Sequence, residues 1–191
     1  MGLTMRELCP WYAVTVKHQH ERAVQSALIF KGFEAFAPTY RVRRNWSDRV
    51  KDQDLPLFAG YVFCRFPYTE RSNIIDTPGV AKVVEFGGHS AEIADAEIAA
   101  IQTVVASKLY ARPWPHLKAG DRVRIERGPL RGLEGTLLRE KQGPKDVLQL
   151  VIGVELLMRS IAVDLEADMV APAPAMPRLH GLGRAQACAI G

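Results

Sequence analysis

The sequence predicts an α+β fold in two parts: an antiparallel sheet with helices packed on it, followed by a small β-barrel. Three observations carry this reading. From Trp11 to Leu109 the apolar positions switch repeatedly between a period of two and a period of about 3.6 residues. After His116 only the two-residue period remains, in short segments separated by glycines. Between the two stretches, Pro113 and Pro115 end one pattern before the other begins. A chain of 191 residues with 48% hydrophobic and 24% charged residues can bury a core, which excludes a wholly disordered or fibrous protein.

The elements follow in order. Trp11 to Lys17 (WYAVTVK) alternates in β-branched and aromatic residues and reads as a half-buried strand. In His20 to Lys31 the positions Val24, Ala27, Leu28 and Lys31 lie on one helical face, with Gly32 placed as a C-terminal cap. Glu34 to Arg44 returns to alternation, and the polar run Asn45 to Asp54 is expected at the tip of an extended hairpin. Phe58 to Phe66 (FAGYVFCRF) is the strongest strand signal. A short helix at Glu70 to Asp76 should stop before Pro78 and Gly79, with a strand at Val80 to Phe86. Asp95 is the expected N-cap of a helix carrying Ile98, Ile101, Val105 and Leu109. Barrel strands are expected at Asp121 to Glu126, Glu134 to Arg139, Leu148 to Ile152 and Ile161 to Leu165. The predicted organisation is a first domain over 9–110, an extended linker over 111–117, a barrel over 118–170 and a disordered tail over 171–191.

Composition removes several function classes. Lys+Arg 25 against Asp+Glu 21 leaves +4, and both domains are near neutral, so net charge says little about partners. One cluster stands out: Arg41, Arg43, Arg44, Arg49 and Lys51, interleaved with Tyr40 and Trp46, which suits phosphates and stacked bases. Cys9, Cys64 and Cys188 are odd in number without a C-x-x-C pair, which supports neither a disulfide framework nor a cysteine zinc site and fits a reducing compartment. His18 and His20 have no carboxylate or cysteine set beside them, so no metal is expected. The most apolar run, Val147 to Met158, falls short of the ~20 residues of a membrane span, and no secretory signal opens the chain; a cytoplasmic location without membrane contact is expected. No phosphate-binding loop or nucleophile elbow is present, so neither an enzyme nor a cofactor is expected.

Lys118 to Gly135 (KAGDRVRIERGPLRGLEG) resembles the KOW motif of small SH3-like barrels in ribosomal proteins and NusG-type transcription factors, and implies binding to RNA or to protein. Trp11-Tyr12, Phe58 to Phe63 (FAGYVF), Thr77-Pro78-Gly79-Val80 before Phe86-Gly87-Gly88, and Ile93 to Ile101 resemble the N-terminal domain of the NusG family in order and spacing. Together the resemblance spans Trp11 to Val170.

That resemblance implies a monomeric transcription elongation factor whose first domain docks on the clamp helices of RNA polymerase. The matching positions are Tyr61 and Phe63, with Thr15 and Phe58 beside them. Alternation puts Tyr61 and Phe63 opposite Val62 and Cys64, and both faces are apolar, so the second face is closed either by the second domain or by a partner. Glu70, Arg71, Ser72 and Asn73 match a second contact across the polymerase cleft. Bridging the cleft favours the closed, elongating state and suppresses pausing by population shift. Lys17, His18 and His20 match the nucleic-acid-facing surface and, with the Arg41 to Lys51 cluster, imply contact with non-template DNA. In the barrel, Leu156, Leu157, Met158 and Arg159 match the loop that contacts Rho or a small-subunit ribosomal protein. General NusG commonly has Phe-Gly where Leu157-Met158 stands, and Phe-Pro-Gly where Phe58-Ala59-Gly60 stands. These departures count against Rho and favour a specialised paralogue of the RfaH or UpxY kind, which prevents termination in long operons. A housekeeping NusG and a ribosome-associated KOW RNA-binding protein are the alternatives.

Overall fold

The computed structural model describes residues 9–46, 49–87, 89–115, 121–142, 145–165 and 170–172, the side chains at 43–46, 49–52, 114–115, 121, 139–142, 145–147, 155 and 170–172 excepted. Strand β1 (Trp11–Val16) runs antiparallel to β5 (Tyr61–Arg65), with Trp11 opposite Arg65 and Thr15 opposite Tyr61. On the far side of β5 lies β2 (Glu34–Phe36); beyond β1 lie β6 (Val80–Val83) and β9 (Glu92–Ile93). Two hairpins complete this half, a long one of β3 (Thr39–Trp46) with β4 (Arg49–Pro56) and a short one of β7 (Glu85–Phe86) with β8 (His89–Ser90).

Helices cover both faces of this sheet. Val24 and Leu28 of α1 (Glu21–Phe30) and Ile74 of α2 (Arg71–Ile75) pack on Tyr12, Val14, Val62, Cys64 and Phe66. Ile98, Ile101 and Val104 of α3 (Asp95–Ser107) close the opposite face over Trp11, Ala13, Phe58, Phe63 and Ile93. A strand buried on both sides needs no polar alternation, which is why Val62, Phe63 and Cys64 are consecutive and all apolar.

Several boundaries differ from the sequence expectation. The alternating run Glu34 to Arg44 breaks at Ala37-Pro38 into β2 and β3, because proline cannot donate to the ladder. Most of the polar run expected at the hairpin tip is strand β4. The N-cap of α3 is Ala94, and the carboxylate of Asp95 instead accepts a 2.7 Å hydrogen bond from the Arg65 guanidinium. The helix stops where Lys108 turns to φ 58°, so Leu109 lies beyond it and Val104 is buried in place of Val105.

The second half is a six-stranded antiparallel sheet in the order β10 (Ala111–Pro115), β14 (Arg159–Leu165), β13 (Lys145–Val154), β12 (Glu134–Gln142), β11 (Asp121–Ile125) and β15 (Val170–Pro172). Ala111–Pro115, expected as a linker, is therefore an edge strand, and Ala171 and Pro172, expected in the tail, pair with β11. Residues 116–120 and 173–191 lie outside the described residues. The apolar core is continuous between the halves: Leu150, Ile152, Val154, Ile161 and Val163 belong to the same cluster as Phe58, Phe63 and the inner side of α3.

Candidate functional site

The face of β5 that carries Tyr61 and Phe63 is set by its approach. Gly60 takes φ 83° at the turn before the strand, a conformation that costs glycine little. Its N–H donates to the buried carboxylate of Glu21 at 2.8 Å, which ties the turn to the first residue of α1. Phe63 is fully buried, edge-on to Phe58 at 5.3 Å between centroids and 6.4 Å from Phe36. Phe58 is buried equally. Neither lies open on a docking face in this structure; α3 and the aromatic neighbours enclose both. Thr15 and Tyr61 are half-buried, and the Thr15 hydroxyl donates to the Lys82 carbonyl at 3.1 Å.

What lies over Tyr61 comes from the second half of the chain. The Arg159 guanidinium sits 5.3 Å from the centre of the Tyr61 ring, in cation–π range. Leu156 and Leu157 pack against the same apolar cluster. Between them and Arg159, Met158 is exposed at φ 50°, left-handed geometry that an L side chain enters at a cost of about 1 kcal/mol or more. The sequence-predicted docking tyrosine and the sequence-predicted partner loop thus meet each other.

Two basic groups share one end of the first sheet. The Val16 N–H donates to the Gly60 carbonyl and the Lys17 N–H to the Gly79 carbonyl, so β1 ends where β5 begins. The β3–β4 hairpin leaves from this end, its base closed by the Leu57 N–H donating to the Pro38 carbonyl. Lys17, His18 and His20 are exposed there, and a His20 ring nitrogen bonds the His18 carbonyl at 2.8 Å. In the hairpin, register changes the charge reading: β4 sets Asp54 opposite Arg41 and Asp52 opposite Arg43. Arg41 and Asp54 form a 3.7 Å ion pair on the surface. The side chains of Arg43, Arg44, Arg49 and Lys51 lie outside the described residues.

The polar helix start is engaged internally. Arg71 donates to Glu85, fastening α2 to β7, and the Asn73 amide donates to the Glu70 carboxylate at 2.6 Å. Ser72 is exposed. Among the described residues, no three His, Cys, Asp or Glu side chains cluster as a metal ion would require, and no helix is long and apolar enough to cross a membrane. Burial first, and Glu34 second, push the Cys64 thiol up to about 12, so it stays protonated and unreactive.

Residues 10–102 match the family model described as "Transcription termination factor nusG". Residues 10–102 thus form a domain of the NusG family. Its structure is similar to that in "Domain interaction in Thermotoga maritima NusG", with a TM-score of 0.51 and 20% identity over 88% of this chain and 99% of that one. Two conformations of an MjSpt4:Spt5 complex align at TM-scores of 0.29 and 0.31 and 17% identity, too distant to argue from. No curated protein matches the sequence.

The structure brings Tyr61 of this NusG-type domain together with Arg159, which lies beyond it, and Lys17, His18 and His20 together with the base of the hairpin. Glu21 was not expected as a site residue. The available signal was an acidic residue at the first helical position, but its target, the Gly60 amide, lies 39 residues away.

Proposed function

We propose that the protein is a transcription elongation factor that docks on the RNA polymerase clamp helices through the face around Tyr61, holds the clamp closed and suppresses pausing. The observation that carries this reading is the meeting of Tyr61 with Arg159. A half-buried tyrosine on an apolar strand, capped by a cation from a separate sheet, is a contact that a helical partner can take over once the cation leaves. Docking then requires the second sheet to move from Tyr61, and the same movement frees Leu156, Leu157, Met158 and Arg159 for a small-subunit ribosomal protein. Lys17, His18, His20 and the hairpin arginines face non-template DNA in this scheme, while Ser72 and Asn73 lie on the surface offered to the opposite side of the cleft.

Within the family we assign an operon-specific, antiterminating role rather than a housekeeping one. Support comes from the loop: Leu157 offers no ring to a Rho pocket, and Met158 occupies a left-handed position where general NusG carries glycine. The test is a reconstituted transcription reaction with purified chain. Tyr61→Ala should lose clamp-helix binding and pause suppression with an unchanged circular dichroism spectrum, and the wild type should increase read-through at Rho-dependent terminators. Retained binding by Tyr61→Ala would remove the docking assignment, and stimulated Rho termination would make the chain a housekeeping factor.

A further inference from the structure

Among the described residues six large apolar side chains stand exposed, and three of them lie on the side of the first sheet that α1 and α2 cover: Ile29, Phe30 and Tyr68. Phe30 is 94% exposed. It follows the buried Leu28 by two residues, roughly 200° around the helix, so burying Leu28 turns Phe30 outward. The helix ends there, and Gly32 at φ 89° swings the chain toward β2. Beside Phe30 opens a groove of about 560 Å³, whose lining starts at Lys31 and includes Pro67, the residue before Tyr68. Cys9, Phe33 and Pro67 give it an apolar surface, and Phe33 lies edge-on to the buried Phe66 at 6.5 Å between centroids. An aromatic knob and an apolar hole are therefore neighbours on one face.

The rim of the groove carries both signs of charge. Arg65 pairs with Glu34 at 3.5 Å and with Asp95 at 2.7 Å, so those charges are already compensated. Lys31 and Glu70 are not. The Lys31 ammonium donates to the Asn73 carbonyl and to the Thr77 hydroxyl, each at 2.8 Å, and the Glu70 carboxylate accepts from the Asn73 amide at 2.6 Å. Neither has an ion-pair partner among the described residues. The face thus holds one knob and one hole, one uncompensated cation and one uncompensated anion. A surface that carries both members of each complementary pair fits a twofold-related copy of itself, where every contact is made twice. A rim of one sign would repel its own copy.

We propose that this face pairs two copies of the chain: Phe30 of each copy enters the groove of the other, and Lys31 of each faces Glu70 of the other. The ring supplies most of the affinity, as a buried aromatic anchor does at a protein interface. The two ion pairs sit on the rim and fix the register. The pairing departs from the monomer that the family resemblance implies. It also has a consequence for partners, because Asn73 lines the same groove and belongs to the surface assigned above to the far side of the polymerase cleft. The paired form withholds that surface. The pairing itself does not depend on the polymerase reading.

Sedimentation equilibrium on the full chain in reducing buffer tests it, from micromolar to millimolar concentration. The wild type should pass from the mass of one chain to the mass of two. Phe30→Glu should raise the dissociation constant at least tenfold with an unchanged circular dichroism spectrum, since the position is open to solvent. Glu70→Lys should also raise it, by setting two cations against each other. A wild type that keeps the mass of one chain throughout, or a dimer that Phe30→Glu forms equally well, would overturn the proposal. Alkylation of Cys9, located by mass spectrometry, reads the same contact on the wild type without any variant. Cys9 lines the groove, so its rate should fall several-fold as the chain concentration rises through the range in which the mass doubles. A rate independent of concentration would mean that the groove stays empty or is filled by the chain itself, and would overturn the second copy as its occupant.

Discussion

Replacing Arg159 by alanine removes the cation that covers Tyr61 and leaves the rest of the interface in place. The guanidinium lies 5.3 Å from the ring centre on a half-exposed tyrosine, a geometry worth about 0.5 to 1 kcal/mol. Leu156 and Leu157 remain packed on the shared cluster, so the interface is weakened rather than abolished. A loss of that size shifts the closed-to-open ratio by roughly two- to five-fold. If docking needs the open form, apparent affinity scales with its population, and Arg159→Ala should bind a labelled clamp-helix fragment two- to five-fold more tightly. Arg159→Lys should fall between the two, since an ammonium keeps the charge but not the planar stacking surface. Fluorescence anisotropy on the full chain measures both, with circular dichroism confirming the fold. Unchanged affinity would refute competition for Tyr61, and weaker binding would mean that Arg159 itself touches the clamp.

Phe63→Ala should behave as a core deletion. It opens a cavity between Phe58, Phe36 and α3, costing about 3 to 5 kcal/mol, and the thermal midpoint should drop by more than 10 °C; a drop of a few degrees with lost polymerase binding would return Phe63 to the docking face. Stability should decline as pH rises above the ordinary thiol range near 9.0, because the unfolded chain ionises Cys64 while the folded chain holds it protonated until about 12. The Tyr12 phenol, also pushed up by burial and then by Glu92, acts in the same direction, and Cys64→Val should flatten the decline measured by chemical denaturation. On an upstream-fork template, Arg43→Ala with Arg44→Ala should flatten the log-affinity against log-salt slope by up to ~1.8. Arg41→Ala should change it less, since Asp54 already pairs with that charge.

Local pattern was enough for most of the architecture. The helical spacing of Val24 and Leu28 and the alternating segments after residue 120 state their elements, because a period of 3.6 or of two follows from backbone geometry alone, and the FAGYVFCRF run states a strand by its unbroken aromatic and β-branched residues. The family resemblance was legible for a related reason: its glycines and aromatics stand at turns and strand starts, where few residue types fit. Charge was legible only in part. The basic run from Arg41 to Lys51 is visible in sequence, but the pairing of Arg41 with Asp54 depends on which strand lies opposite.

Three decisions belonged to the tertiary structure. Phe63 and Tyr61 sit on one face of one strand, and nothing local distinguishes them, yet α3 seals the first and Arg159 caps the second. Ala111–Pro115 reads as a linker because prolines break local structure; it is a strand because an antiparallel partner leaves every second N–H unused, and the prolines fall at those positions. Glu21 anchors a turn 39 residues away. In each case the deciding contact joins residues far apart in the chain, so the sequence by itself determined which segments could be strands and helices, and the packing of distant segments on one another determined which of their side chains remain available to a partner.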